Sequence, residues 1–138
     1  MERIVNNKKL FYTLQFTWGL LMNIIGLLVF AVLIIFKKKK PKKFYNHYYI
    51  PMDGNWGLEM GLFFLCDKDE STYILRHEAG HGLQNIMFGP LTIFIWLASI
   101  IRFNYRELRV KLGLENKTDY DSIWFEGQAT ELGYKYYK

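Results

Sequence analysis

Between Trp18 and Phe36 the chain reads WGLLMNIIGLLVFAVLIIF, with no charge over 19 residues. That run constrains the rest of the molecule more than any other feature. About 20 apolar residues in a helix cross the hydrocarbon of a bilayer, so the run predicts a transmembrane helix over 18–36. A cleaved signal peptide has a shorter apolar region followed by small residues. Here Lys37, Lys38, Lys39, Lys40, Lys42 and Lys43 follow at once, so the helix is expected to stay on as an anchor. Arg3, Lys8 and Lys9 precede it, and the larger basic excess after the span places the C-terminal part in the cytoplasm by the positive-inside rule. The expected location is therefore the cell membrane, with the working part on its cytoplasmic side.

A chain of 138 residues has room for one small domain besides that anchor. Its net charge of +5 is concentrated in the lysine block, next to an apolar stretch and without a nucleic-acid recognition motif. We therefore expect a lipid bilayer as partner and no nucleic acid. The single cysteine, Cys66, excludes an internal disulfide and a Cys-rich metal site, leaving His and carboxylates as the only metal donors.

The expected organisation is an N-terminal segment 1–17, the span 18–36, a basic and aromatic interfacial linker 37–55, and a metal-binding domain 56–138. The fold class expected is a mainly α membrane protein with a small strand element. His47 lies in the linker among Tyr45, Tyr48 and Tyr49 with no partner at ligand spacing, and reads as an interfacial or hydrogen-bonded histidine. The apolar run from Trp56 to Cys66 predicts one strand. Asp69 or Ser71 can cap a helix from about Thr72 to Phe88, which Gly89 and Pro90 stop. The apolar stretch 91–101 is too short to span alone and predicts a re-entrant, interfacial or core helix. A last helix is expected to begin at Asp121 or Ser122 and to carry Trp124, Phe125, Glu126, Ala129 and Gly133.

His77, Glu78, Ala79, Gly80 and His81 spell H-E-x-x-H and contain two of the three histidines. On a helix the i, i+4 spacing stacks both imidazoles on one face, where each can offer a nitrogen to one zinc ion. Glu78 then sits beside the open coordination position as general base. Gly80, costly in mid-helix, implies that another part of the molecule or a substrate comes close.

A catalytic zinc takes three protein ligands plus water. With no His or Cys after His81, the third should be a carboxylate from among Glu107, Glu115, Asp119, Asp121, Glu126 and Glu131. Glu126 stands out because it falls among Trp124, Phe125 and Ala129, where an uncompensated carboxylate is costly to bury. Tyr120, Tyr134, Tyr136 and His47 are candidate donors to an oxyanion.

HEAGH followed by a Glu one helix later resembles the gluzincin metallopeptidases. RHEAGHGLQNIMFGPL and YDSIWFEGQATELG are similar to segments of small bacterial membrane proteins with an HEYGH-like motif. The resemblance implies a third ligand in an E-x-x-x-D pattern, here Glu126 to Thr130, whose Asp supports a ligand histidine. Thr130 replaces that Asp, so support must come from Thr130 itself or from another residue such as Asp121. It implies one zinc per chain and hydrolysis of a peptide or membrane-protein substrate. A zinc-holding sensor or scaffold is the competing expectation, since a metal contributes folding energy in so small a domain.

Overall fold

A computed structural model describes residues 1–54 and 56–138. Two short helices, α1 (Glu2–Asn6) and α2 (Lys8–Gln15), lead into α3 (Leu20–Lys37). A sheet follows, built from β1 (Lys42–Phe44), β2 (His47–Pro51), β3 (Leu58–Met60) and β4 (Phe63–Cys66). Then come α4 (Thr72–Phe88), a single 3-10 turn Gly89–Leu91, α5 (Thr92–Lys111), a second 3-10 turn Tyr120–Ser122, and α6 (Trp124–Tyr136). The molecule is mainly helical with a small sheet.

The strand order is β1-β2-β4-β3, with β2 and β4 parallel and both outer pairs antiparallel. Two expectations change here. The single strand 56–66 is a tight hairpin, because Gly61 turns the chain at φ 72 between Met60 and Phe63. The segment expected as interfacial linker supplies two strands: β2 lies against β4 with Ile50 opposite Leu65, both buried. The Tyr and Ile residues of β2 suit a pleated, half-buried surface, and Tyr49 stacks on Phe64 across the pair with ring centroids 5.4 Å apart. The last residue of that expected linker, Asn55, lies outside the described residues.

Helix α4 has the expected bounds. The Ser71 hydroxyl accepts from the Ile74 amide at 3.3 Å at its start, and Gly89 ends it at φ 56. It is buried from His77 to Ile86 and packs along α6. The approach is backbone to backbone: a Cβ on Gly80 would lie 1.8 Å from the Ala129 carbonyl oxygen, and one on Gly133 would lie 1.9 Å from that of Arg76. The neighbour expected at Gly80 is thus α6 itself.

Helix α5 continues well past the apolar stretch 91–101, to Lys111. The arginines of its second half are turned onto the loop before α6. Arg102 donates to the carbonyls of Tyr120 and Asp119, Arg106 to that of Thr118 and Arg109 to that of Glu115.

By length and composition, Leu20–Lys37, with mean hydropathy 2.6, and a window within the continuous helical stretch Thr72–Lys111, at 1.8, are apolar enough to cross a membrane. On α3 the outward residues include Ile24, Leu28, Val32, Ile35 and Phe36, all exposed. Its inward face carries Asn23, fully buried, which donates to both the backbone carbonyl and side-chain Oε1 of Gln15 and accepts from the Leu62 amide at 2.6 Å. Asn85 of α4 donates to the same Gln15 Oε1 at 2.8 Å, while Gln15 donates to the Gly82 carbonyl at 3.0 Å. These amides bolt the long apolar helix to α4.

Candidate metal centre

On α4, His77 and His81 stack one turn apart with ring centroids 4.8 Å from each other. Glu126, in the first turn of α6, points its carboxylate between them. Its Oε2 lies 3.0 Å from Nε2 of His77 and 3.0 Å from Nε2 of His81. All three side chains are buried, and their ligand atoms lie within 4.8 Å of one another. This group can hold a metal ion.

The hydrogen bonds on the far side of each ring fix what faces the carboxylate. Thr130 Oγ1 lies 2.8 Å from His77 Nδ1 and 2.7 Å from Asp121 Oδ2. Asp121 can only accept there, so Thr130 donates to it and receives the Nδ1 proton of His77. Gln84 uses its amide nitrogen on the Phe125 carbonyl at 2.8 Å and on Gln128 Oε1 at 2.9 Å, leaving its Oε1 to accept from His81 Nδ1 at 2.7 Å. When neutral, both rings therefore carry hydrogen on Nδ1 and aim an Nε2 lone pair at a carboxylate oxygen. Three lone pairs converge on one point, which requires protons or a cation among them. A tetrahedral ion with bonds of about 2.0–2.1 Å keeps its donors about 3.3–3.4 Å apart, close to the spacing seen. The set, two imidazoles and a carboxylate, each ring backed by a hydrogen bond, is of a kind that can hold a divalent metal ion.

The other oxygen of Glu126 is also held: Ser99 of α5 donates to Oε1 at 2.6 Å and the Tyr120 hydroxyl lies 3.4 Å away. Burial raises the cost of the Glu126 charge, but the hydrogen bonds of His77 and His81 outweigh it and hold the carboxyl well below the usual range. Burial, with the neighbouring His81 adding, lowers His77 against the opposing pull of Glu126 and Asp121. At His81 burial opposes the charge, yet Glu126, Glu78 and Glu59 together push it up to about 9.

Glu78 is not part of the ligand group. It lines a cavity of about 230 Å³ with His77, His81, Glu126, Tyr120, Ser99 and α5 residues. Burial pushes its carboxyl up to about 8, with His81 opposing and Glu126 and Glu59 adding.

Of the sequence-derived candidates, the structure gathers His77, His81, Glu126, Glu78, Thr130, Asp121 and Tyr120. Tyr134 is not among the cavity-lining residues: it is exposed on α6, with the Arg76 guanidinium 4.8 Å from its ring centre. Tyr136 likewise lies outside the cavity. His47 sits in the core against Phe11, Phe64 and Tyr137, with neither ring nitrogen partnered. Burial lowers it to about 3.

Three residues at the centre had no sequence reading. Ser99 is a hydroxyl interrupting an apolar run, and Gln84 stands three residues after His81; those positions are their only signal. Glu59 of β3 is buried on the cavity wall, its Oε2 accepting from the Gly61 amide at 3.0 Å. A buried acid in an apolar strand was the signal there. No protein-family model, curated protein or solved structure matches the chain.

Proposed function

We propose that this chain is a membrane-anchored zinc metallopeptidase with Glu78 as general base. The observation that carries the reading is the convergence of three buried lone-pair donors beside a cavity that a further carboxylate, Glu78, lines. Zinc, when bound, supplies an activated water and polarises a carbonyl. The chain's own residues do the rest. His77, His81 and Glu126 hold the ion, with Thr130, Asp121, Gln84 and Ser99 fixing their orientation. The Glu78 carboxylate accepts a proton and returns it to the leaving amine. Tyr120, whose hydroxyl is at the cavity wall, donates to the oxygen that gains charge.

The resemblance to gluzincins supports the same assignment. Thr130, which departs from their pattern and favours a non-catalytic zinc scaffold, here passes His77's hydrogen bond on to Asp121. An acidic group therefore still backs the ligand, one hydroxyl removed, and the departure weighs little. The exposed apolar face of α3 supports anchoring in a bilayer, and the lysines after it support a cytoplasmic site.

The test is zinc content per chain on detergent-purified protein, together with hydrolysis of a quenched peptide library by parent and Glu78→Gln. We expect one zinc in both and a loss of hydrolysis of about 10²–10⁴-fold in the variant. A zinc-loaded parent without hydrolysis would turn the assignment to the sensor or scaffold. A parent that binds no zinc would overturn it altogether.

A further inference from the structure

Helix α5 has two apolar faces. One lines the cavity over the metal centre with Trp96, Ile100 and Phe103 beside Ser99. The other carries Phe94, Leu97, Ile101, Tyr105 and Leu108, all exposed and spaced as one stripe along the helix. Arg102 and Arg106 fold back onto the carbonyls of Thr118, Asp119 and Tyr120, away from that stripe, and Arg109, bonded to the Glu115 carbonyl, touches it only at its Tyr105 end. A stripe of this length marks contact with lipid or a partner, and here it backs onto the cavity wall.

Opposite α5 the cavity is bounded by Trp56, Gly57 and Leu58, next to the outer edge of the sheet at β3. Among the described residues no Lys or Arg lines it, while Glu59 and Glu78 do. Away from the metal ligands, an acidic substrate side chain would meet the carboxyls of Glu59 and Glu78 in a poorly solvated space with no Lys or Arg to pair with. An apolar one would displace water from aromatic and aliphatic walls at no such cost.

We infer, on the basis of the metallopeptidase reading, that the substrate is the apolar end of a membrane-embedded polypeptide. It enters past α5, with an apolar residue beside the cleaved bond seated against Trp96, Ile100 and Phe103. The reaction is hydrolysis: one C–N bond breaks and one water is consumed. Its oxygen goes to the acyl carbon, and its hydrogens are shared between the new acid and amine. Residues of α5 thus set specificity with their inner face while their outer face meets the lipid that delivers the substrate.

The test uses the full-length, zinc-loaded protein in phosphatidylcholine–phosphatidylglycerol vesicles. Three substrates are compared: a reporter whose membrane segment ends in apolar residues, the same reporter with Asp on both sides of the cleavage position, and a soluble polar peptide. The first should be cleaved at least about tenfold faster than either other, the scale a pocket contact sets. Ile100→Ala and Phe103→Ala should keep one zinc per chain and narrow that ratio; keeping zinc shows that they fold. Equal cleavage of all three, or an unchanged ratio in zinc-loaded variants, would overturn the inference and leave the peptidase reading standing. No cleavage of any substrate by zinc-loaded parent would overturn both.

Discussion

One turn of α4 separates His81 from Asn85, and the two ends of that turn treat buried polarity in opposite ways. Around Asn85, amides close onto each other: Gln15, Asn23 and Asn85 exchange donors and acceptors with the carbonyls of Gln15, Gly19 and Gly82, and only Asn85 Oδ1 is left over. Around His81, with the rings neutral, acceptors are aimed at one another: two imidazole lone pairs and a carboxylate oxygen share one point, while the Nδ1 protons of both rings go outward to Thr130 and Gln84. Buried polar groups that satisfy each other fix a shape. Buried acceptors that face each other call for shared protons or a cation between them. The same helix thus carries a fastening to α3 and a place for an ion.

Variants that break the ion-demanding end should have the largest effects. His77→Ala, His81→Ala and Glu126→Ala each remove a ligand from a set of three, and each should lose stoichiometric zinc on dialysis against a weak chelator. Glu126→Asp falls a methylene short and should hold zinc more weakly. Gly80→Ala should do as much damage without touching a ligand, because its methyl would overlap the Ala129 carbonyl and force α4 and α6 apart. Zinc bound normally by a folded Gly80→Ala would show that the helix seam does not set the ligand geometry.

The fastening end should respond with stability and not with zinc. Gln15→Leu leaves Asn23, Asn85 and the Gly82 carbonyl short of partners in a fully buried place, at a cost of about 1–3 kcal/mol. The unfolding midpoint in detergent should fall while one zinc per chain is kept. If Gln15→Leu lost zinc at unchanged stability, the two ends would be one unit.

Much of this contrast was legible in the sequence. Helix α4 announced itself through Ser71, Gly89, Pro90 and the H-E-x-x-H spacing, all local signals. Glu126 was found because a carboxylate among Trp124, Phe125 and Ala129 needs a reason. The strands were less legible: three to five residues each, with β2 and β4 joined in parallel over a distance that no local pattern encodes. The length of α5 was hidden because its apolar run ends in a basic tract whose arginines cap the carbonyls of a loop 6 to 18 residues away. Gln84 and Ser99 were missed because their roles exist only relative to His81 and Glu126 in three dimensions.

A smaller effect sharpens the account of ligand support. Thr130→Val keeps the size of the side chain but ends the link from His77 Nδ1 to Asp121, and loss of such an outer hydrogen bond weakens metal sites by about 10–100-fold. Competition with a fluorescent zinc chelator should show that shift with stoichiometry unchanged. Asp121→Asn should give a similar or lesser loss, since the amide can still accept. Affinity unaffected by both would mean that Thr130 merely packs.

His47 gives the smallest effect and belongs to neither end of the turn. Its ring is fully buried against the Gly82 side of α4 with both nitrogens unpartnered, and its native value lies near 3 against an ordinary 6.5. Because the folded value is the lower one, the unfolded chain takes up a proton first as pH falls. Stability present above pH 6.5 is therefore lost from about 6.5 downward, until the native ring also titrates near 3. At pH 5.5 the loss from this residue alone is about 1.4 kcal/mol, and it depends only on the unfolded value as long as the native one lies well below 5.5. The metal ligands also respond to acid, so the informative quantity is the difference between parent and His47→Leu. Unfolding midpoints measured from pH 7.5 to 5 should fall more steeply for the parent, whatever the offset between the two proteins at neutral pH. Parallel curves would mean that the buried ring finds a proton partner after all, and that this third histidine is held by polarity like its two relatives on α4.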